Sequence, residues 1–198
     1  MGTRLVELGL GLAVIGCGDK VKLTPPDAPP GDCWPGNGSA AAGSATLGTG
    51  RDSYLAMPDP LPIEYGAQDG FDLVANVKMH GLLPGDPTDI LNPVNPRTRI
   101  LAFFAATNIP LNYYAHCPFQ LGYVPSEDGS GSDFVLPQGQ GVVFETCWRA
   151  QHLIGQLVRI DLDVVDSDDH YAHDSVTVTL AAPAGPYPMD PPEPGCMH

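Results

Sequence analysis

The stretch Leu157-Val-Arg-Ile-Asp-Leu-Asp-Val-Val165 decides the fold class. Val158, Ile160, Leu162 and Val164 fall on one face of an extended chain, and Arg159, Asp161 and Asp163 on the other. Successive side chains of a strand point to opposite faces, so this spacing predicts a strand with an apolar face in a core and a charged face in solvent. Working outward, further strand-like runs lie at 71–79, 99–106, 119–124, 141–148 and 175–181, separated by turn clusters such as Pro-Gly-Asp, Asn-Pro and Gly-Ser-Gly. No segment after the first seventeen residues carries a helical period, and 23 Gly and 22 Pro favour turns over helices. The expectation is an all-β chain with a single antiparallel β-sandwich at residues 51–182, for which an immunoglobulin-like arrangement is one reading.

Both ends differ in composition from this middle. Arg4 gives a positive start, Leu8 to Ile15 an apolar run, and Gly16 a small residue before Cys17. That is the layout of a secretion signal at residues 1–16, too short for the ~20 apolar residues that span a bilayer. Residues 17–50 are rich in Pro, Gly, Ser, Ala and Thr and read as a disordered tether, with a reach on the order of 100 Å when fully extended. The end, 183–198, is Pro-rich and expected to be irregular.

Val14-Ile15-Gly16-Cys17 resembles the lipobox of bacterial lipoproteins. The resemblance implies that the Cys17 thiol is acylated and becomes the first residue of the mature protein, held in a membrane of the cell envelope by lipid. Two or three acyl chains, at ~0.8 kcal/mol per buried methylene, make a stable anchor. Gly18 follows the cysteine where inner-membrane retention in enterobacteria uses Asp, which favours the outer membrane, either face. Of 5 cysteines, removing Cys17 leaves Cys33, Cys117, Cys147 and Cys196, an even set suited to an oxidising compartment. Three connectivities are open to four cysteines. The expected one joins Cys117 to Cys147 within the domain and Cys33 to Cys196 across its ends.

The most chemically loaded segment follows Val165: Asp166-Ser-Asp168-Asp169-His-Tyr-Ala-His-Asp174. Oxygen ligands gathered from one loop suit Ca2+. The run from 157 to 178 resembles the third calcium loop of C2 domains, where an apolar strand leads into Asp-x-Asp and another Asp arrives six positions later. The resemblance implies a C2-like sandwich over about 71–180 as the alternative to the immunoglobulin-like one. It implies Ca2+ ligands at Asp89, Asn95, Asp166, Asp168 and Asp174, with Asn95 standing where that family has a second Asp. It also implies loop tips at Ile90, Leu91, Val94 and Tyr171 that touch a partner surface. The plain alternative is that these carboxylates cap turns and keep strand ends soluble.

Other chemistry is sparse. His170 and His173 beside Asp suit a transition metal but lack a third well-spaced ligand, and no Ser or Cys sits in a nucleophile-elbow context. Trp148 and Phe144 read as core residues. A net charge of −14 with 9 Lys and Arg argues against nucleic acid as a partner. The sequence therefore points to a lipid-anchored envelope protein carrying a binding or adhesion module for a protein, glycan or lipid, Ca2+-dependent in the C2 reading. A structural envelope subunit is the alternative, and no catalytic constellation suggests an enzyme.

Overall fold

The structure, a computed structural model, describes residues 43–66, 70–112, 118–127 and 131–187. The secretion signal, Cys17, Cys33, Cys117 and Cys196 lie outside the described residues, as do the tether up to residue 42 and the tail from 188. In chain order the elements are β1 (Ser44–Thr49), β2 (Leu55–Ala56), β3 (Leu61–Pro62), β4 (Glu64–Tyr65), β5 (Phe71–His80), β6 (Arg97–Phe104), β7 (Phe119–Gln120), β8 (Val124–Pro125), β9 (Asp133–Val135), β10 (Gln140–Val143), one helical turn α1 (Ala150–Leu153), β11 (Leu157–Val165) and β12 (Tyr171–Ala181).

They form an all-β sandwich of two sheets. One runs β2-β1-β5-β9-β8, with β4 and β10 also on β5; the other runs β3-β12-β11-β6-β7. Every strand pair is antiparallel except β3 with β12, where Leu61 lies opposite Leu180. Strand β11 has the predicted bounds and is the centre of its sheet, paired over its length with β12 and with β6. Its alternation does what the period requires: Val158, Ile160, Leu162 and Val164 are fully buried. They meet the inward set of β5, Phe71, Leu73, Ala75, Val77 and Met79, which are also buried. Phe144 and Trp148 join this core as expected, and Leu153 of α1 helps close it.

Four expectations change. The sandwich begins at Ser44, inside the stretch expected to be tether up to residue 50: β1 pairs with β5 from Ser44 opposite His80 to Gly48 opposite Asn76. Low-complexity composition hid a strand whose small residues suit close packing. Ala45 and Leu47 face the core, and a Cβ at Gly48 would come within 2.4 Å of the Tyr54 ring. The run 119–124 is not one strand, because it crosses from β7 on one sheet to β8 on the other. Between them Gly122 packs on the Asp86–Pro87 backbone, which a Cβ would meet at 2.4 Å. The run 141–148 leaves the sheet at Val143, its remainder turning into α1. Finally β12 starts at Tyr171, so the long acidic loop shrinks to the turn 166–170.

Asp163 is a finer correction. Its place on the outer face predicts solvent exposure, yet it is only 6 % exposed. Long neighbours from the flanking strands cover it, Arg99 from β6 and Tyr171 and His173 from β12.

Candidate functional site

Two Asx-rich connections lie at the same end of the sandwich. Loop 81–96 follows β5 and leads into β6 at Arg97, which pairs with Val165, the last residue before the acidic turn. Asp89 and Asp166 therefore emerge on one side of the molecule.

In the turn, Asp166 is 1 % exposed and acts as a staple. Its Oδ1 accepts the N–H groups of Asp168 and His170, each at 2.9 Å. Its Oδ2 accepts the N–H of Leu83 at 3.0 Å and faces His170 Nδ1 at 3.1 Å. Burial pushes this carboxyl upward, but the donors from Leu83, His170 and Asp168 outweigh it and hold the group below the usual carboxylate range. Asp169 takes a left-handed φ of 60°, a conformation Asp tolerates, and pairs with Arg97 at 3.1 Å. Asp168 is exposed.

The other connection is built on a three-residue repeat. Asp86, Asp89, Asn92 and Asn95 each begin or end a turn whose backbone closes from Asp89 N to Asp86 O, Asn92 N to Asp89 O and Asn95 N to Asn92 O, the last two at 3.1 and 3.0 Å. Side chains brace the same turns: Asp86 accepts the Thr88 N–H at 2.9 Å, Asp89 that of Leu91 at 3.0 Å and Asn92 that of Val94 at 3.1 Å. Asn95, 2 % exposed, ties the ends, accepting the Asp86 N–H at 2.6 Å and donating to Asp89 O at 2.8 Å. Asx residues close turns through their own side chains, and here four of them fix one loop. What the loop presents outward is apolar: Ile90 is 73 % exposed, Leu91 80 % and Val94 46 %. The spacing of Asx at 86, 89, 92 and 95 was a legible signal for this rigidity that the C2 comparison passed over.

The expected Ca2+ ligands are not brought together. Asp174 sits within β12 opposite Leu162, and its Oδ2 accepts the N–H of Leu47 on the other sheet at 2.7 Å, clamping the two sheets. Asp166 is spent on backbone N–H groups, and Asp89 and Asn95 are spent on their own loop. Among the described residues no three His, Cys, Asp or Glu side chains group to hold a metal ion. Nor do His170 and His173 converge, since each gives its Nδ1 to a different carboxylate, Asp166 and Asp163.

Tyr171 is likewise not a loop tip. It stands on the outer face of β12, where its hydroxyl donates to Asp163 Oδ1 at 2.7 Å. Burial, reinforced by that anionic acceptor, pushes the phenol up to about 12. Asp163 also meets Arg99 Nη2 at 2.6 Å and His173 Nδ1 at 3.0 Å. Burial pushes its carboxyl up, but the hydrogen bonds from Arg99, Tyr171 and His173 win and hold it low. Cross-strand register places these four side chains together, which no local spacing announces. Ser175 Oγ donates to Asp161 at 2.7 Å.

A concave feature lies where the two sheets part, between β6, β7 and β10. It is a cleft of about 590 Å³ lined mainly by apolar groups, among them Ile100, Phe119, Leu121, Val142 and Phe144, with Glu145 and Cys147 also on its wall. Cys147 is disulfide-bonded; the other three bridge candidates are outside the described residues. Comparison with protein-family models, curated proteins and solved structures gives no match.

Proposed function

We propose that the chain is a lipid-anchored protein of the bacterial cell envelope whose β-sandwich is a binding module working through the rigid apolar tip at Ile90, Leu91 and Val94. The observation that carries the reading is the pairing of exposure with rigidity. Three apolar side chains stand in water on a loop whose turns are closed by four Asx side chains. Rigid presentation reduces the ordering entropy lost on binding, so such a tip is suited to docking. Anchoring by lipid rests on the lipobox resemblance at Cys17.

We read the chain as a binding protein rather than an enzyme.

A photo-crosslinking amino acid placed at position 91 tests the docking role in intact cells. Adducts with an envelope component at position 91, absent for the same group at Leu157, are expected; equal labelling at both would remove the tip from the binding surface. Incorporation of an acyl analogue that persists after Cys17→Ser would overturn the anchor assignment.

A further inference from the structure

The loop tip and the beginning of the domain share one end of the sandwich. Ser44 pairs with His80, the residue just before loop 81–96, and a Cβ at Gly43 would lie 2.3 Å from His80 O. The chain from Cys17 thus reaches the domain at the end that carries Ile90, Leu91 and Val94. The described C-terminal residues lie at the other end: the Tyr187 ring packs at 6.3 Å from that of Phe71, the first residue of β5. We infer that the apolar tip docks on the same bilayer that holds the acyl chains on Cys17, so that the domain stands on its membrane through two contacts, the lipid and the tip. This rests on the lipoprotein reading above and names its partner as a lipid surface.

Chain length permits the contact without forcing it. The 25 residues from 18 to 42 span at most about 90 Å. Tethering therefore keeps the tip within reach of the surface, where a high effective concentration lets a small apolar contact count. Ile, Leu and Val are side chains that gain by leaving water for the acyl boundary. The charge around them selects the surface. Asp86, Asp89, Asp168 and Asp169 lie in the two connections at this end, with Arg97 already paired to Asp169. Acidic surroundings disfavour anionic headgroups, so the docking surface is zwitterionic. Of these carboxylates, Asp86 and Asp89 accept the N–H groups of Thr88 and Leu91 in the tip loop itself.

The test uses the full lipidated protein reconstituted in phosphatidylcholine vesicles, with and without bromine on the acyl chains. Leu91→Trp places a reporter at the tip, Leu157→Trp one at the opposite end of β11, and the unsubstituted protein gives the background of its own tryptophans. Flotation with the vesicles reads the anchor; quenching by brominated lipid reads the tip. We expect Leu91→Trp to be quenched at least twofold more than Leu157→Trp, and the excess to shrink when a third of the lipid is phosphatidylglycerol. Flotation with equal quenching at the two positions would overturn the proposal and leave the anchor standing. Protein that fails to float would overturn the anchored reading itself, and the proposal with it. Crosslinks from position 91 that go only to another envelope protein would also overturn it, in favour of a protein partner.

Discussion

The turn 166–170 and the loop 86–95 are neighbours rich in Asp and Asn, yet they use those residues differently. Asp166 is buried, with three backbone N–H groups and a His ring on its two oxygens, and one of those N–H groups, that of Leu83, belongs to the other connection. It ties the two connections together. In 86–95 the Asx side chains act within the loop, and the stiffness they supply holds Ile90 and Leu91 out in water. The lesson is that a carboxylate-rich segment has a prior claim on its own oxygens. Wherever the chain turns sharply, unsatisfied backbone N–H groups are close by, and a carboxylate that accepts them has little left for a metal.

The sharpest way to break this contrast is Asp166→Ala. It leaves several N–H groups without their acceptor in a buried site and is expected to cost about 3 kcal/mol in urea unfolding. A loss below about 1 kcal/mol would mean that the two connections are not stapled through this residue. The acid limb is next. Because Asp166 and Asp163 are held below their unfolded value, they contribute stability that is present above that value, about 3.9, and is lost as pH falls through the lower folded values. Thermal melts should therefore decline from about pH 5 downward, and Asp166→Asn, already weaker at neutral pH, should decline less steeply than wild type. Equal slopes would show that the carboxyl is not low in the fold.

Asn95→Ala sharpens the other side. It removes a buried amide that joins Asp86 to Asp89 and is expected to cost about 2 kcal/mol. Amide exchange should rise within 86–95 more than in the turn 166–170. The smallest expected effect is that of Ca2+: adding it to the folded protein should move the melting temperature by less than about 1 °C, since a ligand stabilises only where the folded state binds it. A clear rise would show that carboxylates at this end gather around a cation.

Much of the fold was legible because it depends on periodicity. The alternation of 157–165 gave a strand with its bounds to the residue, and Phe71 began β5 as its pattern required. Strand β1 was not legible, because Ser-Ala-Thr-Leu-Gly-Thr has the small-residue composition of a linker, and only the close approach of Tyr54 and β5 gives those residues their purpose. Of the candidate site, the exposure of Ile90, Leu91 and Val94 is implied by the resemblance to C2 loops. The fate of the acids is not. Asp166, Asp168 and Asp174 are spaced in sequence like a ligand set, but the last four pairs of the β11–β12 ladder, from Asp174 opposite Leu162 to Tyr171 opposite Val165, put position 174 in a ladder and not in a loop.

By itself, then, the sequence determined an all-β chain with an alternating strand at 157–165 and a net charge of −14 that argues against a nucleic-acid role. Those properties follow from side-chain period and charge, which are local. Only the tertiary structure decided that Asp163 is buried under Arg99, Tyr171 and His173, that Asp174 clamps Leu47 on the opposite sheet, and that the chain joins the domain beside its apolar tip. The reason is physical. Each of these depends on which residues from distant parts of the chain meet across a register or between sheets, and a carboxylate's role is set by the donors that surround it.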